Sequence, residues 1–436
     1  MCFFNIKTIF LFNILFFMLT ACSASNVHTK NLINKELTNH ITRSNSLIPQ
    51  KYNCTDLTVH CVDDGGEFDE FSSIQEAVDE SKPGDVVLVF KGEYEGFRVE
   101  KSGSIDKPIR ITANGNEVYI TSGNYLSGKN NIYLLDVNYV IIEGFTVTGA
   151  NKYGIGSHKA SARYPMQGIT IQFNKVSDSL SANIYLSHTA NSFIIGNEVF
   201  NSLKSHGIYL SNAGSDNCVL SNNISYNNAK NGIHFNGDYR QGGDGIHTGL
   251  LITNNYFFNN VANGVDADGV HFSTFTNNVI YKNGRHGIRV FKEDAASGAS
   301  NLVFANNTIT GNRSEAIKLT NDLGGHTFFN NIFVDNQGAA CVYLEDPVFS
   351  SGYNIYSSGC QFKTESNNLS KSQFINKTTR IASSSDLFID ILKDNFNIQV
   401  NSPAFNSGVK VFNGNKAPVE NVLLELRKNS INRGAY

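Results

Sequence analysis

Seven short segments of the sequence each place one outward-pointing residue after an inward-pointing aliphatic residue, as expected for strands whose side chains alternate. The seven outward residues are Tyr185, Tyr209, His234, Asp266, Arg289, Lys318 and Tyr343. Two positions later, the same face carries Ser187, Ser211, Asn236, Asp268, Phe291, Thr320 and Glu345. A surface without a function would usually scatter Ser, Thr and Asn there, whereas the first set is titratable in its middle and aromatic at its ends. Titratable groups gathered on one face predict a binding or catalytic site.

The middle of this set has the residue types that β-elimination on a uronic acid requires. Arg289 can neutralise the sugar carboxylate, which acidifies the neighbouring C5 proton. Lys318 would then remove that proton, because a guanidinium one strand away disfavours a second positive charge on its amine. We predict Lys318, Arg289 and His234 as the catalytic residues.

The flanking residues favour a sugar chain as the ligand. Tyrosine rings can stack on pyranose faces, and the amide of an asparagine can donate to sugar hydroxyls. The predicted substrate-binding residues are Tyr185, Tyr209, Asn236 and Tyr343. The expected partner is therefore a polysaccharide that contains uronic acids. The alternative is a solvated face on which Asp266 and Arg289 only pair with each other.

Asp266 and Asp268 leave two further possibilities open. Their carboxylates face the same way in one strand and could bind Ca²⁺ together with Asp238 or Asp244 from the loop that precedes them. They would also lie roughly 6–7 Å apart, as in an inverting glycoside hydrolase. A third alternative is a glycan-binding or adhesion protein without catalytic activity.

The elements that position these residues repeat along the chain. An Asn-x-aliphatic phrase recurs at Asn174, Asn197, Asn222, Asn254, Asn277, Asn306 and Asn330, with Gly144 as an earlier copy. Most copies are followed, ten residues later, by a small residue and an aliphatic one. A fixed core with a loop of variable length is typical of a solenoid, and the period-2 alternation within each copy predicts strands. The spacing resembles that of the right-handed single-stranded parallel β-helix, an all-β fold. We expect the Asn side chains to form a structural ladder between coils.

The beginning of this solenoid contains a predicted capping helix. Ser73, with Glu76 three residues later, forms a capping-box pattern before an apolar stretch that ends at Lys82-Pro-Gly-Asp85. The phrases Pro83-Gly-Asp-Val-Val and Lys107-Pro-Ile-Arg-Ile resemble the amino-terminal part of β-helix polysaccharide lyases, which include alginate, chondroitin and pectate lyases. That resemblance implies the fold rather than an activity. The outward residues Arg289 and Lys318 favour a carbon–oxygen lyase over a glycoside hydrolase.

Residues 1–22 are predicted to be a signal peptide. Ile9 to Leu19 is almost wholly apolar but short for a membrane span. The following Leu19-Thr-Ala-Cys22 resembles the lipobox of bacterial lipoproteins, which implies a lipid on Cys22 and anchoring in the outer membrane. Simple secretion is the alternative.

The rest of the chain is divided by composition and repeat pattern. We expect a flexible tether at 23–52, an N-terminal cap and first coils at 53–130, regular coils at 131–345, and irregular coils with a C-terminal cap at 346–436. Export permits disulfides, and the pairs Cys54–Cys61 and Cys341–Cys360 are close enough in sequence to form them. A net charge of −3 gives no case for nucleic acid. We expect a monomer that contacts membrane only through its lipid.

Overall fold

The structure is a computed structural model and describes residues 52–63, 65, 71–159, 164–211, 215–346, 348–357, 360–364, 378–427 and 431–436. The predicted signal peptide with Cys22, and the tether up to residue 51, lie outside the described residues.

The described chain winds into a solenoid with three long parallel sheets, named A, B and C in the order in which each coil crosses them. Sheet A contains β1 (Val59–Val62), β2 (Val86–Val89), β5 (Ile109–Ala113), β8 (Val140–Glu143), β12 (Thr170–Gln172), β16 (Phe193–Ile195), β19 (Val219–Ser221), β23 (Leu251–Thr253), β27 (Thr274–Thr276), β30 (Val303–Ala305), β33 (His326–Phe329) and β36 (Phe349–Gly352). Sheet B contains β3 (Gly92–Glu95), β6 (Val118–Ser122), β9 (Thr146–Thr148), β13 (Lys175–Ser177), β17 (Glu198–Phe200), β20 (Ile224–Tyr226), β24 (Tyr256–Phe258), β28 (Val279–Tyr281), β31 (Thr308–Thr310), β34 (Ile332–Val334), β37 (Ile355–Ser357) and β39 (Thr379–Ile381). Sheet C contains β4 (Phe97–Val99), β7 (Ile132–Leu135), β10 (Ile155–His158), β14 (Ile184–Ser187), β18 (Ile208–Ser211), β21 (Ile233–Asn236), β25 (Val265–Asp268), β29 (Ile288–Phe291), β32 (Ile317–Leu319), β35 (Val342–Leu344) and β38 (Phe362–Thr364).

Smaller elements lie in the turns and in the C-terminal region. Two short parallel pairs join β11 (Met166–Gln167) to β15 (Thr189–Ala190) and β22 (His247–Thr248) to β26 (Val270–His271), and two antiparallel pairs join β40 (Phe388–Asp390) to β41 (Asn395–Ile398) and β42 (Val411–Phe412) to β43 (Asn415–Lys416). The helices of the described residues are α1 (Ile74–Glu80) and three 3₁₀ turns at Tyr239–Gln241, Ser384–Asp386 and Ile391–Lys393.

Successive coils pair strand by strand in the parallel sense, for example with Ile208 opposite Ile233. The repeat therefore places equivalent residues directly above one another, and their inward aliphatic side chains form one continuous core. The predicted right-handed parallel β-helix is confirmed.

The N-terminal end of the core is covered by α1. The Ser73 hydroxyl accepts a hydrogen bond from the Glu76 backbone N–H at 3.2 Å, which satisfies a donor that the first helical turn would otherwise leave free. Ile74, Ala77 and Val78 are buried against the first coils. The predicted capping helix is confirmed, and it shields an end coil that would otherwise expose apolar side chains and strand edges.

Asparagine side chains form a buried ladder at the corner between sheets A and B. Asn278 is representative: its Nδ2 donates to Asn307 Oδ1 at 3.0 Å and to the Ile252 carbonyl at 2.9 Å, and its Oδ1 accepts from the backbone N–H of Asn255 at 3.1 Å. The ladder contains Asn174, Asn197, Asn223, Asn255, Asn278, Asn307, Asn331 and Asn354. The predicted structural role of these asparagines is confirmed.

The predicted register of the ladder is wrong by one residue from Asn222 onward. In each Asn-Asn pair the second asparagine enters the ladder, as Asn223 does by accepting from Asn197. The first asparagine takes a left-handed backbone conformation, with φ of 57° at Asn222 and 54° at Asn277. Asparagine tolerates this conformation better than most residues, so each doublet combines a corner residue with a ladder residue.

The C-terminal arm, defined as residues 382–427 and 431–436, lies along the outer face of sheet B. Strands such as β28 are therefore buried on both faces, and Tyr281 contacts Phe396 of the arm with ring centroids 4.9 Å apart. Corner asparagines bind the backbone of the arm, since Asn306 donates to the Asn432 carbonyl at 2.9 Å. Arg427 is largely buried and donates to several carbonyls of the arm and to Asn277 Oδ1.

Both expected disulfides are present, Cys54–Cys61 and Cys341–Cys360, and Cys218 is a buried free thiol. Within the described part of the chain, no helix combines the length and the hydropathy needed to span a membrane.

His247 makes the stability of the solenoid dependent on pH. Its side chain is fully buried, and burial lowers its pKa from the ordinary 6.5 to about 4. The backbone groups of Asn236 and Ser215 raise this pKa, but by less than burial lowers it. Between pH 6.5 and 4 the unfolded chain binds a proton at this site that the folded chain does not, so stability falls as the pH decreases through this window. We expect a loss of roughly 3 kcal/mol from this residue. Denaturant titrations at pH 7 and pH 4.5 should show a smaller loss in His247→Leu than in the unmodified chain, and an equal loss in both would contradict this account.

Candidate functional site

The seven outward residues predicted from the sequence form one column on sheet C. Strand register places Tyr209 opposite His234, His234 opposite Asp266, Asp266 opposite Arg289, and Arg289 opposite Lys318. The column continues to Tyr185 on one side and to Tyr343 on the other. It extends beyond the predicted set to Tyr133 and Arg98, and to Lys363. The predicted shared face and order are therefore found in the structure.

Asp266 links two cationic or protonatable side chains at the centre of this column. Its Oδ2 lies 3.3 Å from His234 Nδ1, and its Oδ1 lies 3.6 Å from Arg289 Nη1. His234 Nδ1 also lies 3.2 Å from the Asp266 backbone carbonyl, which can only accept. Nδ1 must therefore carry the proton, and in the neutral ring Nε2 has the free lone pair.

Arg289 is held in place from its other side by an aromatic ring. Its guanidinium carbon lies 3.8 Å from the centroid of Phe291, two residues later on the same face. A planar cation stacked on a ring and facing a carboxylate has little rotational freedom. The neighbouring Lys318 has its Nζ 5.7 Å from the centroid of Tyr343, and no carboxylate of the described residues lies within 4.0 Å of that Nζ.

A second row of polar residues, at the turn between sheets B and C, borders the column. It consists of the residue that precedes the small residue in five successive coils, namely His206, Asn231, Asn263, His286 and Glu315. Asn231 Oδ1 accepts from the Asn263 N–H at 2.9 Å, which fixes the orientation of the Asn231 amide. Asn231 Nδ2 therefore faces both Asp266 Oδ2, at 3.2 Å, and His206 Nδ1, at 3.1 Å.

This turn row was not predicted as part of the site. A sequence signal for this row does exist. The position immediately before the small residue is occupied by His, Asn or Glu in these five coils. His206 is the clearest member, because its ring stacks on His234 with centroids 4.5 Å apart. Burial holds the pKa of His206 well below its usual range, with His234 and Lys230 contributing in the same direction.

Tyrosines continue the column on the N-terminal side of His234. Tyr185 stacks on Tyr153 with centroids 4.2 Å apart, and Tyr209 meets Tyr185 edge to face at 5.3 Å. Tyr153 lies over Gly156, where a Cβ would come within 3.0 Å of the tyrosine ring. Asn236 Nδ2 donates to the Tyr209 hydroxyl at 3.1 Å. The predicted binding residues Tyr185, Tyr209 and Asn236 are therefore contiguous.

Asp268 differs from Asp266 in its surroundings. Its two oxygens accept from the backbone N–H groups of Glu293 at 3.0 Å and Asp294 at 2.8 Å. Asp322 makes the same type of contact two coils later, with the N–H groups of Glu345 and Asp346. Asp268 thus holds the turn of the next coil, a structural role that recurs along the solenoid.

The oxygens of the Asp266–Asp268 pair face N–H donors, which would compete with a bound cation. Within the described residues, no group of three or more His, Cys, Asp and Glu could hold a metal ion. In the loop predicted to supply further ligands, Asp238 Oδ1 instead accepts a hydrogen bond from the Arg240 backbone N–H at 3.0 Å. Calcium binding stays a prediction from the sequence.

Comparison with known proteins supports the same architecture. The profile of the NosD family, described as periplasmic copper-binding protein, matches residues 73–274, and the profile of the right handed beta helix region matches residues 236–369. No curated protein sequence matches the chain.

Solved structures with a similar fold include three polysaccharide- or sugar-related proteins. Pectate lyase Pel9A is 15% identical, with a TM-score of 0.60 over 88% of this chain and 98% of its own. XylC in complex with xylose is 11% identical, with a TM-score of 0.54 over 86% and 98%. An alginate lyase from Paenibacillus sp. str. FPU-7 is 18% identical, with a TM-score of 0.50 over 70% and 96%. At these identities the likeness concerns the fold. The repeat, the three parallel sheets and these matches together identify the fold of the chain as a right-handed parallel β-helix.

Proposed function

We propose that the chain binds a polysaccharide containing uronic acids along sheet C and cleaves it by β-elimination. The observation that carries this proposal is the shared contact of His234 and Arg289 with Asp266. Two side chains that touch one carboxylate are close enough to act on the same sugar ring, at C5 and at its carboxylate.

The proposed reaction assigns a separate role to each residue. Arg289 pairs with the uronate carboxylate and stabilises the negative charge that develops there when C5 loses its proton. His234 Nε2 takes that proton, and Asp266 stabilises the resulting imidazolium through Nδ1–H. The C4–O bond then breaks, a C4=C5 double bond forms, and the leaving oxygen acquires a proton.

The structure favours His234 over Lys318 as the base, although the sequence alone favours Lys318. An oriented imidazole whose Nδ1–H is already bonded presents the lone pair of Nε2 without rearrangement. Lys318 has no carboxylate partner among the described residues and lies one strand beyond Arg289, so it is better placed to bind the carboxylate of a neighbouring uronate. Tyr185, Tyr209 and Asn236 would bind the sugars on the other side of the cleaved bond.

The hydrolase alternative has less support. An inverting pair needs one carboxylate that activates water, yet both oxygens of Asp268 accept backbone N–H groups. Two of the solved structures of similar fold are named pectate lyase and alginate lyase, which supports elimination over hydrolysis.

The proposal predicts that the purified chain releases unsaturated products from a uronic-acid polymer. The conjugated double bond absorbs in the ultraviolet, so a panel of acidic polymers can be screened by absorbance, with neutral polymers as controls. Reducing ends that appear without this absorbance would instead indicate hydrolysis. Binding without any cleavage would support the non-catalytic alternative.

We also propose that the protein is exported and anchored by a lipid on Cys22. The lipobox-like Leu19-Thr-Ala-Cys22 motivates this, and the matching NosD family is described as periplasmic. In a bacterial host, Cys22→Ser should move the protein from the membrane fraction to the soluble fraction, while Cys218→Ser should not. An unchanged membrane fraction and mature mass in Cys22→Ser would contradict lipid attachment.

A further inference from the structure

His206 and His234 form a pair of stacked imidazoles with opposite arrangements of protons. Asn231 donates to His206 Nδ1 at 3.1 Å, so this nitrogen must accept and the His206 proton must sit on Nε2. In His234 the proton sits on Nδ1, which faces the Asp266 carbonyl, and Nε2 is the acceptor. Neither Nε2 atom has a hydrogen-bond partner among the described residues, and neither is sealed from solvent.

The two rings therefore present one donor and one acceptor side by side. Their centroids are 4.5 Å apart and their planes differ by 26°. Both Nδ1 atoms face the bonded Asn231–Asp266 pair, at 3.1 Å from Asn231 Nδ2 for His206 and 3.3 Å from Asp266 Oδ2 for His234. Both Nε2 atoms therefore lie on the edge of the stack that faces away from this pair. Tyr209, whose ring centroid lies 5.1 Å from that of His206 and 4.9 Å from that of His234, packs against both and restricts their movement.

We infer that the site eliminates across bonds on one face of the sugar, with His234 moving the proton and His206 binding the leaving oxygen. This inference rests on the proposed function. His234 Nε2 takes the C5 proton, the C5–H electron pair forms the C4=C5 double bond, and the C4–O bond breaks. His206 Nε2–H donates a hydrogen bond to the oxygen as it leaves, and the His234 imidazolium transfers its proton to that oxygen. Both rings end in their starting protonation states, and no further reactant is required.

This geometry selects the configuration of the uronate. When acceptor and donor approach from the same side, the C5–H and C4–O bonds must lie on the same face of the ring. Mannuronate and glucuronate have this arrangement, whereas in galacturonate the two bonds lie on opposite faces. The expected substrate class is therefore a 4-linked uronate of the manno or gluco configuration.

The test compares rates of unsaturated-product formation by the full chain on polymannuronate, polyglucuronate and polygalacturonate. We expect at least one of the first two to react about a hundredfold faster than polygalacturonate, because proton transfer to the leaving group contributes at least that factor. A rate on polygalacturonate that equals or exceeds both others would overturn the inference and leave the proposed function intact. Absence of product from all three would overturn both.

Variants of His206 separate its proposed role from a role in folding. His206→Ala should lower kcat on the preferred polymer about a hundredfold with little change in KM, since the hydrogen bond strengthens only as the oxygen leaves. His206→Gln, which retains an N–H donor, should recover part of the rate. His271 provides the control, because it is buried to a similar degree but lies at the corner between sheets C and A. His271→Ala should leave kcat unchanged. The contrary result is an equal loss of kcat in His206→Ala and His271→Ala, in proportion to the stability that each variant loses. That result would contradict a role for His206 at the leaving group.

Discussion

Replacing His234 by alanine should reduce kcat on the best uronate polymer about a thousandfold while KM changes little. The reason is that the imidazole acts on the C5 proton only in the transition state, and general-base catalysis contributes factors of this size. Added imidazole should restore part of the rate if the cavity left by the ring admits it. Initial rates of unsaturated-product formation, with and without imidazole, measure both effects.

Lys318→Ala distinguishes the two possible bases. If Lys318 binds a neighbouring carboxylate, its removal should raise KM and leave most of kcat. If instead Lys318→Ala is inactive and His234→Ala retains its rate, then Lys318 is the base, as the sequence alone suggests. Arg289→Ala should be as damaging as His234→Ala in either case, because both mechanisms require neutralisation of the carboxylate.

Replacing Asn278 by alanine should lower the free energy of unfolding by roughly 3–5 kcal/mol, since several buried hydrogen bonds disappear and their partners stay buried. The Asn278 side chain bonds to Asn255 and Asn307 and to the Ile252 carbonyl, and none of these groups can reach water in the folded solenoid. Guanidinium titrations followed by circular dichroism give the change in the unfolding midpoint.

Asn116 is the matched control, because it is an exposed asparagine in a turn of the same solenoid. Asn116→Ala should change the free energy of unfolding by no more than about 0.5 kcal/mol. If Asn278→Ala lowers the free energy of unfolding by no more than this, the ladder fixes the geometry of the turns without contributing to stability.

The sequence predicts the solenoid well because its coils are nearly independent copies. Period-2 alternation around Ile208 and Ile288 gives strands directly, and the fixed spacing between copies gives parallel stacking. The ladder register is harder to predict, since an Asn-Asn doublet such as Asn222-Asn223 contains two asparagines with different roles. Only the backbone conformation, left-handed at Asn222, distinguishes the two.

The candidate site was only partly predictable. The column from Tyr185 to Tyr343 follows from strand alternation, because register carries a side chain's direction from coil to coil. The turn row with His206 and Asn231 does not, since no periodicity determines where a turn residue points. Asp268 also could not be separated from Asp266 by spacing, because its partners are backbone N–H groups of a loop that belongs to the next coil.

The C-terminal arm limits how this protein can change its length during evolution. Solenoids usually gain and lose repeats by duplication and deletion of whole coils. Here the arm binds corner asparagines of particular coils, at Asn277, Asn306 and Asn330, and its Tyr436 hydroxyl reaches that of Tyr256. A coil inserted between β24 and β37 would move the corner asparagines on one side of it by about 4.8 Å, out of reach of the arm residues that they bind. Coil number should therefore vary freely among descendants before β24 and be fixed after it, because the arm sets the number of coils in the second half of the solenoid.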